Sequence, residues 1–81
     1  MSSGKRTPYT ERGIKRAKCF RCGGQAVHQW NICSDGGYRA LCVECDIALN
    51  GLVLGFMRFP LKERFMKLRR YAKRARKAVA A

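Results

Sequence analysis

The chain has 81 residues and carries 18 Lys and Arg against five Asp and Glu, a net charge of +13. That length allows one small domain with basic extensions, and a core of this size needs a staple such as a metal or disulfides. No stretch of about 18 apolar residues occurs, which excludes a membrane-spanning helix; the longest apolar region, 47–59, is interrupted by Asn50, two glycines and Arg58.

The charge is unevenly placed. Residues 1–25 hold seven basic and one acidic residue, 61–81 hold nine and one, and the middle is close to neutral. A neutral core between two cationic flanks points to a polyanionic partner, nucleic acid first and DNA ahead of RNA. Solubility is the plainer alternative. In chain order, 1–17 reads as a flexible basic arm, because residues 1–12 are polar, marked by Gly, Ser and Pro, and without periodicity. Lys5, Arg6, Arg12, Lys15 and Arg16, with Lys18 just beyond, could follow a phosphate backbone or enter a minor groove.

The segment 18–59 is expected to be the folded domain. It contains Cys19-Phe-Arg-Cys22 and, nineteen residues later, Cys42-Val-Glu-Cys45. A gap of two lets both sulfurs of a pair face one point, and two pairs complete a tetrahedron, the pattern of a structural zinc site. One Zn²⁺ filled by four thiolates has no open position for substrate, so the metal builds the fold and does no chemistry. It would also supply the staple, at roughly 10–16 kcal/mol in zinc-finger peptides. Two disulfides are the rival. The odd cysteine count and an amino terminus without an apolar export run favour metal ligands in a reducing cytoplasm.

Gly23 and Gly24 suit the tight turn of a knuckle after the first pair. Ala26–Cys33 alternates as a strand, Ser34-Asp-Gly-Gly37 signals a turn, and Tyr38–Leu41 returns to Cys42. From Val43 to about Met57 the period becomes helical, with Leu41, Cys45, Leu49, Leu52, Val53 and Phe56 on one face. Ile47, Leu54 and Met57 lie off that stripe, so this helix is apolar round much of its circumference. Leu52, Val53, Phe56 and Met57 are therefore a candidate interaction surface, for a second copy or a partner protein; cover by the next helix, folding back across Pro60, is equally open. The last segment, 60–81, reads as a basic amphipathic helix from Leu61 to about Val79. Lys62, Arg64, Lys67, Arg69, Arg70, Lys73, Arg74, Arg76 and Lys77 are its candidate phosphate contacts. Anionic membrane is a weaker partner for such a helix, and no membrane role is expected.

Knuckle, hairpin, then a helix opening at the last two ligands is the order of a treble-clef zinc finger, a small metal-stabilised α+β fold. Residues 19–50 resemble a GATA-type zinc finger. Trp30 stands eight residues after Cys22, Asp35-Gly36 falls in the turn, Leu41-Cys42 opens the helix, and 62–77 take the place of the basic tail. The resemblance implies DNA contacts from the helix and the segment after it. It departs in a slightly longer spacer, and Asn31-Ile32 follow the tryptophan where that family has basic residues. Glu11-Arg-Gly-Ile-Lys-Arg-Ala-Lys-Cys19, with Cys42-x2-Cys45-Asp46 and Leu49-Asn50, is also similar to small zinc-finger proteins of tailed bacteriophages. That similarity suggests origin (a host-cell cytoplasm) more than activity, and leaves an adaptor or inhibitor on an acidic host protein as the alternative function.

Catalysis is not expected. Treble clefs include histidine-metal nucleases, but His28 alone cannot both bind a metal and activate water, and no Ser/His/Asp set or phosphate-cradling glycine loop is present. His28 reads as a strand residue, Cys33 as a small apolar filler, and Trp30 as the hairpin's contact with the helix. Lys18 and Arg21 would offset the −2 charge of a zinc ion with four thiolates.

Overall fold

The computed structural model describes residues 6–80; Lys5 and the rest of the first five residues of the arm lie outside them. The fold is small α+β, with a two-stranded antiparallel sheet and helices in the order α1 (Glu11–Arg16), β1 (His28–Ile32), β2 (Gly37–Leu41), α2 (Val43–Phe56) and α3 (Leu61–Ala80). The chain divides into two compact units, Met1–Cys45 and Asp46–Ala81. The division falls inside α2 and not at Pro60. None of the helices among the described residues is long and apolar enough to cross a membrane.

In the first unit, residues 11–16 are helical and not part of a featureless arm. Local capping explains α1: Thr10 is extended, and its hydroxyl accepts from the Gly13 N–H at 3.0 Å. Glu11 in the first turn and Lys15 and Arg16 in the last match the helix dipole. The flanks are tied as well. The Tyr9 N–H donates to Gln29 Oε1 at 2.7 Å while Gln29 Nε2 donates to the Tyr9 carbonyl at 3.1 Å. Gln25 Nε2 donates to the Lys15 carbonyl at 2.6 Å, and Lys18 bridges Gln25. Six residues carry too few turns to show a period, and the glutamines that hold them come later in the sequence.

β1 and β2 pair from His28 opposite Leu41 to Ile32 opposite Gly37. Their connection is a single 3₁₀ turn, Cys33–Asp35, followed by Gly36 and Gly37 at φ 98° and 137°. Only glycine enters that region cheaply, so the pair of glycines sets the turn. Arg39 closes it by an ion pair with Asp35. Ala26, Ala40, Leu41 and Cys19 are buried, which makes the core of this unit small. Trp30 is half-buried opposite Arg39. Cys33, expected as a filler, is exposed at the turn, where its thiol donates to Asn31 Oδ1 at 3.4 Å.

The second unit is an antiparallel helical pair. α2 stops at a left-handed residue, Arg58 at φ 63°, with the Phe59 N–H bonding the Leu54 carbonyl and the Arg58 N–H that of Gly55. That is the Schellman pattern, with arginine where glycine is usual. Pro60 then ends the link, and its carbonyl accepts from the Arg64 N–H at 2.9 Å to start α3. The return path of α3 is marked by three contacts. A methyl on Gly51 would lie 3.2 Å from Leu68 Cδ2, one on Gly55 would lie 3.3 Å from Arg64 Nη1, and the Tyr71 hydroxyl bonds Asp46.

The covered face of α2 therefore differs from the expected stripe. Asp46 and Ile47 are its buried residues, whereas Leu52 and Phe56 are 72% and 86% exposed. Periodicity could not select a face on a helix apolar nearly all round; the partner helix does so at the two glycines, where it approaches closely.

Candidate metal centre

Each cysteine of the cluster is placed by a different local device. Cys19 sits in a tight loop: its N–H donates to the Gly24 carbonyl at 2.7 Å, and the Gly23 N–H returns to the Cys19 carbonyl at 2.8 Å. Gly23, at φ 82°, makes that reversal and brings Cys22 round. The Phe20 N–H donates to the Ala40 carbonyl at 3.0 Å, which sews this loop to β2 beside Cys42. Cys42 directly precedes α2, and its sulfur accepts from the Cys45 N–H at 3.5 Å, as an N-cap side chain would. Cys45, one turn on, points its thiol the same way.

The four sulfurs lie within 4.8 Å of one another, and Cys22 Sγ and Cys42 Sγ are 3.4 Å apart. Tetrahedral zinc with bonds of about 2.3 Å requires sulfur separations of about 3.8 Å. The donor set and its spacing fit a thiolate-bound ion of that geometry. Cys19 is buried, Cys42 and Cys45 half-buried, and Cys22 exposed, so the site lies at the edge of the unit. His28, on β1 opposite Leu41, is outside this cluster, as expected for a strand residue.

The clustered thiols ionise unequally. Burial opposes ionisation of Cys19, but the N–H groups of Cys42, Cys22 and Arg21, with the Cys45 thiol, outweigh it and bring its pKa down to about 6. Cys45 is pushed up to about 12, chiefly by its hydrogen bond with Cys42, then by burial and its bonds with Cys19 and Cys22. For Cys22 the Gly24 N–H favours the thiolate, yet shared protons with Cys42 and Cys19 prevail and raise it. One thiolate forms at its neighbours' expense. Four at this separation need a cation among them.

The candidate phosphate contacts fall in both units. Arg12, Lys15 and Arg16 are exposed on α1, and Lys18 is exposed in the bridge to Gln25. On α3, Lys62, Lys67, Arg69, Arg70, Lys73, Arg74, Arg76 and Lys77 are exposed. Arg64 differs. It is half-buried against Gly55, and its Nε donates to the Phe59 carbonyl at 3.0 Å, so it holds the helix connection. Lys67 rests over the Phe59 ring at 4.9 Å. Phe20 is 52% exposed beside the ligands, with the Arg39 guanidinium 5.3 Å from its ring centre. Of the candidate interaction surface, Leu52, Phe56 and Met57 are exposed and Val53 is half-buried.

One buried polar group escaped the sequence reading. Asp46 is 2% exposed, and its carboxylate accepts from the Tyr71 hydroxyl and from Asn50 Nδ2 at 3.4 Å. Its place directly before the apolar run of α2 was the available signal. Comparison with known proteins adds no relative: no protein-family model, curated protein or solved structure matches this chain.

Proposed function

We propose that one structural Zn²⁺, held by Cys19, Cys22, Cys42 and Cys45, clamps the first loop and the hairpin to the start of α2 in a treble-clef-like finger. The finger carries a non-catalytic nucleic-acid-binding function, with DNA ahead of RNA and contacts made mainly to phosphates. The observation that carries this reading is the row of eight exposed cations on α3, in a segment with one acidic residue. The cations of α1 are the secondary contacts. Releasing counterions supplies affinity without sequence information, which suits a helix rich in Lys and Arg. If about five phosphates are neutralised, log K falls with log salt at a slope near −4.5 on duplex DNA. Fluorescence anisotropy with labelled duplex between low and moderate salt tests this; a binding constant independent of salt refutes it. The order of loop, hairpin and helix is what supports the likeness to GATA-type fingers, and a reducing cytoplasm suits free thiolates.

The second reading is a small adaptor, of the phage type, that docks on an acidic host protein or on its own copy. It is favoured by the exposure of Leu52, Phe56 and Met57, at 72%, 86% and 58%. Polar substitutions at Leu52, Val53, Phe56 and Met57 separate the two. They leave nucleic-acid affinity intact under the first reading and abolish biological activity under the second.

A further inference from the structure

We propose that α3 enters the major groove of B-form DNA, contacting the phosphates of both strands from its two flanks. The inference rests on the nucleic-acid reading and adds the form of nucleic acid and the mode of docking. Its basis is how the cations are distributed round the helix. The covered arc is narrow: Arg64, Leu68 and Tyr71 are half-buried, and Ala72 and Ala75 are buried. The exposed cations fill most of the remainder. Lys62, Arg69 and Arg76 recur every seven residues along one flank, and Lys67 and Arg74 do so along the other.

At about 100° per residue, Lys62 and Lys67, and likewise Arg69 and Arg74, point about 140° apart. Between the two rows lie Met66, Arg70, Lys73 and Lys77, with Glu63 the one acidic residue among them, all exposed. A single phosphate row or a flat anionic surface can meet one flank of such a cylinder but not both. A groove with phosphates on each wall meets both at once. A helix with its side chains is about 10–12 Å across, and the B-form major groove is about 12 Å wide. The major groove of A-form RNA is too narrow to admit side chains. The 20 residues of α3 give a length of about 30 Å, close to one duplex turn.

The test uses the full zinc-loaded chain with a labelled DNA duplex, a double-stranded RNA of the same sequence and single-stranded DNA. The duplex is expected to bind roughly tenfold or more tightly than the RNA. Neutralising the first row (K62Q, R69Q, R76Q) should lower the salt slope by about 2.7, and neutralising the second (K67Q, R74Q) by about 1.8. Far-UV circular dichroism checks that each variant stays helical. A measurement on the unaltered protein stands beside them: a major-groove ligand such as methyl green should compete, and a minor-groove ligand such as netropsin should not. If either row is silent while the duplex is still bound, or RNA binds as well as DNA, or only netropsin competes, groove insertion is overturned and phosphate binding survives. Binding to none of the three nucleic acids overturns both readings.

Discussion

Replacing Tyr71 by Phe deletes one hydroxyl from α3 and leaves the ring to pack as before. The hydroxyl donates to Asp46, which is 2% exposed on α2, so the variant removes a donor from a buried carboxylate. Hydrogen bonds to charged groups contribute about 1.5–3 kcal/mol, and a loss near 2 kcal/mol in a chain of this size lowers Tm by roughly 8–16 °C. Thermal and urea unfolding of the zinc-loaded chain, followed by circular dichroism, gives the number. A double-mutant cycle with Asp46→Asn should return a coupling of about 1–2 kcal/mol, because the two groups lie in direct contact. The pH dependence supplies an independent check. Burial, and then Asp46, push the Tyr71 pKa up from its ordinary 10.0 to about 12. The folded state thus holds the phenolic proton more tightly than the unfolded chain. That contribution is complete below pH 10 and is lost as pH rises through 12. The stability difference between wild type and Y71F should be flat from pH 7 to about 10 and shrink above it. A variant within about 0.3 kcal/mol of wild type, with additive behaviour in the cycle, would refute the contact between the helices at this point.

Two further substitutions test the helix connection. Arg58 holds a left-handed conformation at φ 63°, so Arg58→Gly should raise stability by up to about 1 kcal/mol, read from the urea midpoint. A loss of stability there would contradict the Schellman end of α2. Arg64 bonds the Phe59 carbonyl, so R64Q should cost about 1 kcal/mol of stability and leave the salt slope of DNA binding unchanged. R69Q, at an exposed position of the first row, should do the reverse and lower the slope by about 0.9.

The features legible in the sequence were those whose determinants are neighbours along the chain. Cys19 with Cys22 and Cys42 with Cys45 announce a shared focus through a spacing of three, and the glycines at 36 and 37 announce a turn. Pro60 and the period of 61–79 bound α3 to within a residue or so. What could not be read depends on partners far away. α1 is held by Gln25 and Gln29, and Asp46 is matched by Tyr71 twenty-five positions on. The face of α2 that becomes covered was hidden for a related reason: Leu49, Leu52, Val53 and Phe56 form as good a stripe as any, and Gly51 and Gly55 matter only once Leu68 and Arg64 are seen against them. Composition cannot tell a solvated cation from one that bonds a carbonyl, so the sequence places Arg64 with the other candidate phosphate contacts.

Thiol accessibility under metal control bears most directly on the central claim. Cys33 is exposed and stands apart from the cluster, so the reduced, zinc-loaded chain should bind one equivalent of metal and present one readily alkylated thiol. Chelation should expose all five cysteines and abolish the hairpin's circular-dichroism signal. Metal-free protein that keeps its structure, or rapid alkylation of Cys19, Cys22, Cys42 or Cys45 in the presence of zinc, would contradict the account.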